Sequence, residues 1–465
     1  MNARARERTR ARGHPNWTLV TCVLASSLSF VEGSVLSVAL PAIRASYGAG
    51  AAEVQWVVNA YLLPLSALLL LGGALGDHYG RRRLLVIGTT LFAVASVLCA
   101  LAPGLELLLA GRAVQGLGAA LLLPNSLALL NGAFDGESRG RAFGIWAAAG
   151  AAAAAVAPLL GGWLVGTVGW PAIFYINLPL ALGAIVLALR FVAESRDAGG
   201  GRMDYAGALL ATGGLGGLTY ALTLWSASST FTRQGIVALA AGTVALAAFV
   251  LVEHRRGARA MMPMAMFTGR CFAGLNLLTL LLYGAFSAAM LLIPYVLISS
   301  GGYSPVQAGL AMLPLPILIF AGSPIMGRLA VRIGPRLPLT AGPLIVAGGM
   351  LLARLIEDDT DYWLGAFPTI TVMAVGMTIA VAPLTSTVLG VVDERHTGIA
   401  SGFNSQVARV GGLIATALLG AVLASEGQRL FDGFHAAMMV ASAVAAVAGL
   451  VGLTMLGGAR MKAPS

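Results

Sequence analysis

Glu32 and Arg112 stand out in a sequence that places little other charge inside its apolar runs. Glu32 lies in Phe30-Val-Glu-Gly-Ser-Val-Leu-Ser-Val-Ala-Leu-Pro41, well inside the first run. An ionisable group at such a place costs about 2.5–3.5 kcal/mol on insertion scales, so it faces a cavity or a partner and marks an ion or substrate path. Burial favours the neutral carboxyl and a neighbouring cation the carboxylate; a group held between these influences can load and release a proton. Arg112 is the natural partner. It sits six residues in from the outer end of the fourth run, and Glu32 about eight short of the outer end of the first. Both therefore reach roughly 9–12 Å below the outer boundary at about 1.5 Å per residue. Gln115 follows Arg112 on the same helical face. The plainer readings are an acid held by one helix–helix hydrogen bond and an arginine snorkelling to the interface.

The elements that must position these groups are transmembrane helices. Of the 465 residues 58% are hydrophobic and 10% charged, with mean hydropathy +0.85. Soluble domains carry about 25% charged residues, so this chain lacks the polar surface a soluble domain needs. Its apolar runs match the roughly 20 residues that cross a bilayer. They are continuous rather than alternating, which selects helices over a barrel. Fourteen spans are expected, near 17–40, 54–75, 84–103, 106–128, 142–168, 172–192, 205–225, 235–252, 271–299, 305–326, 337–356, 362–390, 397–424 and 433–457. The weakest are the seventh and eighth, because Thr219 to Thr232 is less apolar. The fold class is all-α integral membrane.

The formal charge of +10 reflects orientation rather than nucleic-acid binding. Of 29 Lys and Arg, 23 fall on the side of the N-terminus, four on the other (Arg44, Arg233, Arg354, Arg429), and Arg112 and Arg409 inside helices. By the positive-inside rule both termini are cytoplasmic and the protein lies in the cytoplasmic (inner) membrane. The first run is longer than a signal-peptide core and reads as a retained helix. Cys22, Cys99 and Cys271 lie in or beside apolar runs and are expected as buried free thiols. The five His form no ligand spacing, so no metal is expected.

An internal echo divides the chain. Gly73/Gly327, Leu75/Leu329, Gly80/Gly334 and Arg82/Arg336 each differ by 254 positions, and both segments follow the second helix of a six-helix unit. Two similar halves with a site between them is a common transporter plan. The expected layout is a basic tail at 1–16, an N-terminal six-helix bundle at 17–192, a linker with two inserted helices at 193–253, a C-terminal six-helix bundle at 254–458, and a tail at 459–465. Asp77 with Arg81 and Arg82, flanked by Gly73 and Gly80, could form a salt-bridge latch that opens as the halves rock. The fifth run, from Gly144 through Pro158, Gly161 and Gly162, is rich in small residues that let helices approach closely, with a bend at the proline. Tight packing alone would explain it equally well. Phe30, Trp56, Tyr61, Tyr283, Phe286, Met290 and Arg409 are candidate substrate lining. No other buried carboxylate is expected in the outer half: Glu357, Asp358, Asp359 and Asp361 cluster in an external loop, Asp393 and Glu394 sit in a cytoplasmic loop, and the C-terminal half has no intramembrane acid.

These segments resemble a known family. Gly73-x-Leu-Gly-Asp77-x-x-Gly80-Arg-Arg-Arg is similar to the signature loop of the major facilitator superfamily. Arg112-Ala-Val-Gln115-Gly-Leu-Gly118 resembles its span-four motif associated with proton coupling, and Ala157-Pro158-Leu-Leu-Gly161-Gly162 its span-five antiporter motif. The segment ending Val38-Ala-Leu-Pro41 resembles the span-one motif of the fourteen-helix drug:proton antiporter branch. The resemblance implies a major facilitator fold, two six-helix bundles plus two inserted helices. The chain departs from the pattern at Glu32 (usually Asp), Ser37 (Asn), Ala157 (Gly) and Pro171 (Arg).

The expected function is proton-coupled export of amphipathic, often cationic compounds from the cytoplasm, with Glu32 as the proton carrier. Export of one dedicated metabolite, such as a self-made antibiotic, is the alternative. The chain has no G-x-x-x-x-G-K-[ST] and no cluster of His, Asp or Ser beside the membrane, so neither an ATP motor nor an enzyme is expected. The expected partners are a small-molecule substrate, protons and the lipid bilayer. The proton gradient supplies the energy, no cofactor is needed, and the protein is a monomer.

Overall fold

The computed structural model describes residues 14–134, 136–196, 205–228, 230, 232–257, 269–357, 361–392 and 397–456. The basic tail, the Gly199–Gly201 linker, Asp358 and Asp359, the Asp393–Glu394 loop with Arg395, and the C-terminal tail lie outside these residues.

The helices are α1 (Pro15–Tyr47), α2 (Ala51–Tyr79), α3 (Arg81–Ala100), α4 (Leu105–Ala133), α5 (Gly136–Thr167), α6 (Asn177–Phe191, preceded by the turn Ala172–Tyr175), α7 (Tyr205–Ser228) and α8 (Arg233–Arg256). They continue with α9 (Arg270–Ser299), α10 (Pro314–Ile333, preceded by the short helix Pro305–Ala311), α11 (Arg336–Leu351), α12 (Ala366–Gly390), α13 (Thr397–Ala417, followed by Gly420–Ala424) and α14 (Gln428–Met455). Each expected span thus coincides with a helix or a consecutive pair. Fourteen membrane crossings are not confirmed, however. Among the described residues ten helices are long and apolar enough to cross a membrane, and an eleventh counts if α2 is taken as one bent span. Within α5 only Val156–Thr167 stands as a shorter apolar helix, and within α7 only Leu209–Trp225.

Local sequence sets the helix ends. Pro15 opens α1 at a position where the missing N–H costs nothing, and Gly48 closes it in a left-handed conformation at φ 60°. Ser304 and Gln307 cap the short helix reciprocally, with Pro305 at its first turn.

α1 packs against α4, α5 and α6, and α2 and α3 pack against α4, forming one set of six. α9 packs on α13 and α14, and α11 on α12 and α14, forming a second. The sets meet through α1 on α9, α2 on α13, and α5 on α10 and its preceding short helix. The inserted pair packs on itself, and α7 also touches α2 and α13. Asn59 of α2 donates to Thr223 Oγ1 of α7 at 3.4 Å and accepts from Thr416 Oγ1 of α13 at 2.7 Å. One buried amide therefore ties the insertion to both sets.

The echo recurs in three dimensions. Gly80 and Gly334 both end a helix at positive φ, 112° and 83°, a conformation that a side chain would strain. Arg82 donates to the Val192 carbonyl after α6 at 3.1 Å, and Arg336 to the Leu453 carbonyl in α14 at 2.9 Å. In each set the same arginine fastens the loop between its second and third helices to its last helix.

At the end away from the basic loops the two sets are closed. Arg44 at the end of α1 donates to Tyr295 Oη of α9 at 3.0 Å and pairs with Glu426 at 3.1 Å. Gln55 Nε2 donates to the Thr416 carbonyl. Gly162 of α5 lies against the backbone of Pro305 and Val306, where a Cβ would collide with the Pro305 carbonyl. Gly161 meets Val35 and Val38 of α1 as closely. The small residues of the fifth run thus seat α5 against its own set and against the other.

Candidate functional site

α1 brings Glu32 to the centre of the first set, and α4 brings Arg112 to the same depth. Glu32 is 0% exposed and Arg112 1%, and Arg112 Nη1 donates to Glu32 Oε1. The equal-depth expectation holds, and neither residue snorkels. Arg112 Nη1 also donates to Gln115 Oε1 at 2.7 Å, and its Nε to the Val57 carbonyl at 3.0 Å. Its guanidinium lies 4.5 Å from the centre of the Tyr61 ring, where the ring face attracts a cation. Tyr61 Oη is bonded to Ser29 Oγ at 2.8 Å.

Two members of this network have no counterpart in the expected site. Asn177, at the start of α6, donates to Glu32 Oε2 at 3.0 Å and approaches Ser96 Oγ at 3.3 Å. Ser96 of α3 accepts from Gln115 Nε2 at 2.9 Å. Both carboxylate oxygens of Glu32 therefore accept from nitrogen donors, all from the first set. An asparagine in the run Ile176-Asn177-Leu178 was a visible signal, because polar residues inside spans usually bond across helices. Asn177→Ala is expected to slow proton-coupled exchange about tenfold or more, the worth of a hydrogen bond to a charged group. Fluorescence-monitored proton flux in liposomes measures it, with elution of the purified variant as the control for folding.

A cavity of about 580 Å³ lies between the two sets, lined by Glu32, Arg112 and Tyr61 on one wall. Tyr283, Phe286, Met290, Asn404 and Arg409 line the other. Five of the seven candidate lining residues are thus on it. Phe30 instead packs edge-on against Trp146 at 5.5 Å, and Trp56 against Tyr220 of α7 at 6.1 Å, so both serve helix packing. Asn404, absent from the expected lining, donates to Asn276 Oδ1 at 3.1 Å and Thr279 Oγ1 at 2.7 Å, which fixes its side chain against α9.

Asp77 pairs with Arg81 at 2.7 Å, four residues on and within the same set. Gly73 lies against Pro124 of α4, and Gly144 belongs to the first half of α5. Glu194, expected only as linker, accepts from the backbone N–H of Arg82 and Arg83 at 3.0 and 3.1 Å and so caps α3. A carboxylate at that helix N-terminus meets its exposed donors and the positive end of its dipole. Glu253, just beyond the expected eighth span, is buried at the end of α8 and is not among the residues lining the cavity.

Comparisons with known proteins bear on the family and the fold. A family model described as Major Facilitator Superfamily matches residues 22–416 and again 275–463. The chain is 34% identical over 409 residues to a "Multidrug resistance protein Stp" of Mycobacterium tuberculosis, covering 88% of this chain and 76% of the relative. It is 31% identical over 444 residues to the "Methylenomycin A resistance protein" of Bacillus subtilis, covering 94% and 93%. Among solved structures, a peptide transporter POT in complex with sulfate superposes with TM-score 0.71 at 14% identity, covering 97% of this chain and 96% of that one. A bacterial homolog of the human lysosomal transporter Spinster, inward-facing and unoccupied, gives 0.67 at 15%, covering 97% and 99%; these two likenesses speak to the fold alone. With a family match that spans both sets of helices and relatives above 30% identity along most of its length, the chain belongs to the Major Facilitator Superfamily.

Proposed function

We propose that the chain is a proton-coupled antiporter that exports amphipathic drugs or antibiotics from the cytoplasm. The observation that carries this reading is the fully buried Glu32–Arg112 pair, held by Gln115 and Asn177 at the wall of an amphipathic cavity. A carboxylate in such a place changes its attraction for Arg112 when it takes a proton, which supplies a switch in the wall that a substrate touches. Relatives named for resistance to or export of methylenomycin A, puromycin and tetracenomycin C support export as the direction.

The basic end faces the cytoplasm, both termini lie there, and the closure at Arg44, Gln55 and Gly162 faces outward. The arrangement is then an inward-facing one, with the cavity available to compounds arriving from the cytoplasm. A proton reaching Glu32 from outside in the alternate form loosens the ion pair and favours substrate release. Deprotonation toward the cytoplasm restores the pair. The protein works as a monomer, and the proton gradient is the only energy source it requires. Asp77, Arg81 and the tie from Arg82 hold the basic end of the first set together as the two sets rock.

Uptake into inverted membrane vesicles tests this across a panel of unrelated amphipathic compounds. Accumulation of several compounds that collapses with a protonophore is the expected result. Accumulation of one compound alone would favour the dedicated exporter, a reading supported by relatives named for single antibiotics. Uptake indifferent to the proton gradient would overturn the coupling.

A further inference from the structure

Charge in the cavity is not balanced. Among the described residues lining it, only Glu32, Arg112 and Arg409 are charged, and Glu32 and Arg112 neutralise one another. Arg409 is left as one net positive charge. It makes no hydrogen bond or ion pair among the described residues, in contrast to Arg44, Arg81, Arg82 and Arg112, each of which has a carboxylate. Snorkelling does not relieve it. Arg409 is twelve residues from the start of α13 and eight from its end, about 18 Å from the basic end along the helix axis and beyond the reach of its own side chain. A cation at that depth is costly unless a partner or water compensates it, and such residues mark substrate paths.

Its surroundings suit an organic ligand. Ser405, Arg409, Gly412 and Thr416 all line the cavity at three- and four-residue spacing, so one face of α13 presents a guanidinium between hydroxyls, with Gly412 set close against Ser287 of α9. Phe286 and Met290 of α9 lie on the same cavity and offer an apolar surface for the body of a ligand.

We propose that Arg409 binds the acidic group, a carboxylate or an ionised phenol, of an amphipathic exported compound, so that the cavity prefers anionic over cationic substrates. This rests on the export reading above. A planar guanidinium can hold such a group through two parallel hydrogen bonds. A permanently cationic drug would instead meet an unopposed positive charge, because Glu32, the only acid on the cavity among the described residues, already belongs to Arg112. The sequence alone suggested cations because it displayed Glu32 without showing how completely Arg112 satisfies it.

Three probes sharing one fluorescent aryl body test the assignment in inverted vesicles: an aryl carboxylate, its neutral amide and its trimethylammonium analogue. The wild type is expected to move the carboxylate with a KM at least about tenfold below that of the ammonium compound. Arg409→Gln should raise the carboxylate KM by about 10- to 100-fold, the range for a hydrogen bond between charged groups, and that of the amide far less. Arg409→Lys should recover part of the loss. Preferred transport of the ammonium probe by the wild type, or an equal loss for all three probes in Arg409→Gln, overturns the assignment while leaving export intact. Absence of proton-gradient-dependent movement of every probe in the wild type overturns the export reading and the assignment together.

Discussion

Glu32→Gln is expected to abolish drug-driven proton flux in liposomes. The substituted amide keeps the size of the side chain, and its carbonyl oxygen can still accept from Arg112, so the loss falls on proton carriage. Leaving Arg112 wholly unpartnered would instead cost about 3–5 kcal/mol and endanger the fold. For that reason Gln is the informative substitution and Ala is not. Drug–drug exchange without a proton gradient should survive in the variant, which separates a failed carrier from a misfolded protein. Glu32→Asp, shorter by one methylene, should retain part of the coupled rate because it keeps the acid. Full proton flux in Glu32→Gln would remove Glu32 from the mechanism.

Gly162→Ala should reduce transport about tenfold or more, although it adds a single methyl group far from the ion pair. The added carbon would strike the Pro305 carbonyl, and a main-chain atom in a capped helix has little room to yield. Overpacking of this kind costs about 1–3 kcal/mol. Spent against the closed form alone, that cost changes the balance between closed and open forms by about 5- to 150-fold. Gly166→Ala is the matched control, one turn along the same helix, where a Cβ would lie 3.8 Å from Val306 and transport should be unaffected. Equal transport by both variants would show that the contact of α5 with the short helix is not part of the cycle.

Much of the fold was legible because membrane helices announce themselves through length and hydropathy, and a repeated loop survives as a fixed offset. The Gly80/Gly334 and Arg82/Arg336 correspondences proved to be matched helix ends and matched ties. The number of crossings was less legible, because apolarity alone did not reveal the bend in α2. Within the site, Glu32 and Arg112 could be paired by counting residues from span ends, since depth in a bilayer is nearly a linear coordinate. Asn177 and Ser96 could not be assigned in this way. Serines in helices usually bond their own backbone, as Ser96 also does to Phe92, and only the packing of α3, α4 and α6 shows the second use. Phe30 and Trp56 misled because an aromatic ring in a span is as useful for packing against Trp146 or Tyr220 as for facing a cavity.

Among the described residues the network around Glu32 draws on α1, α2, α3, α4 and α6 and on no residue beyond 177, whereas Arg409, Asn404, Phe286 and Met290 belong to α9 and α13. Inheritance can therefore treat the two walls separately. Substitutions in α9 and α13 can change which compound is admitted while the inherited ion pair stays untouched, so new cargo does not require a new engine. A chimera that exchanges only those two helices with a relative of different cargo is the unit in which such a change would be passed on.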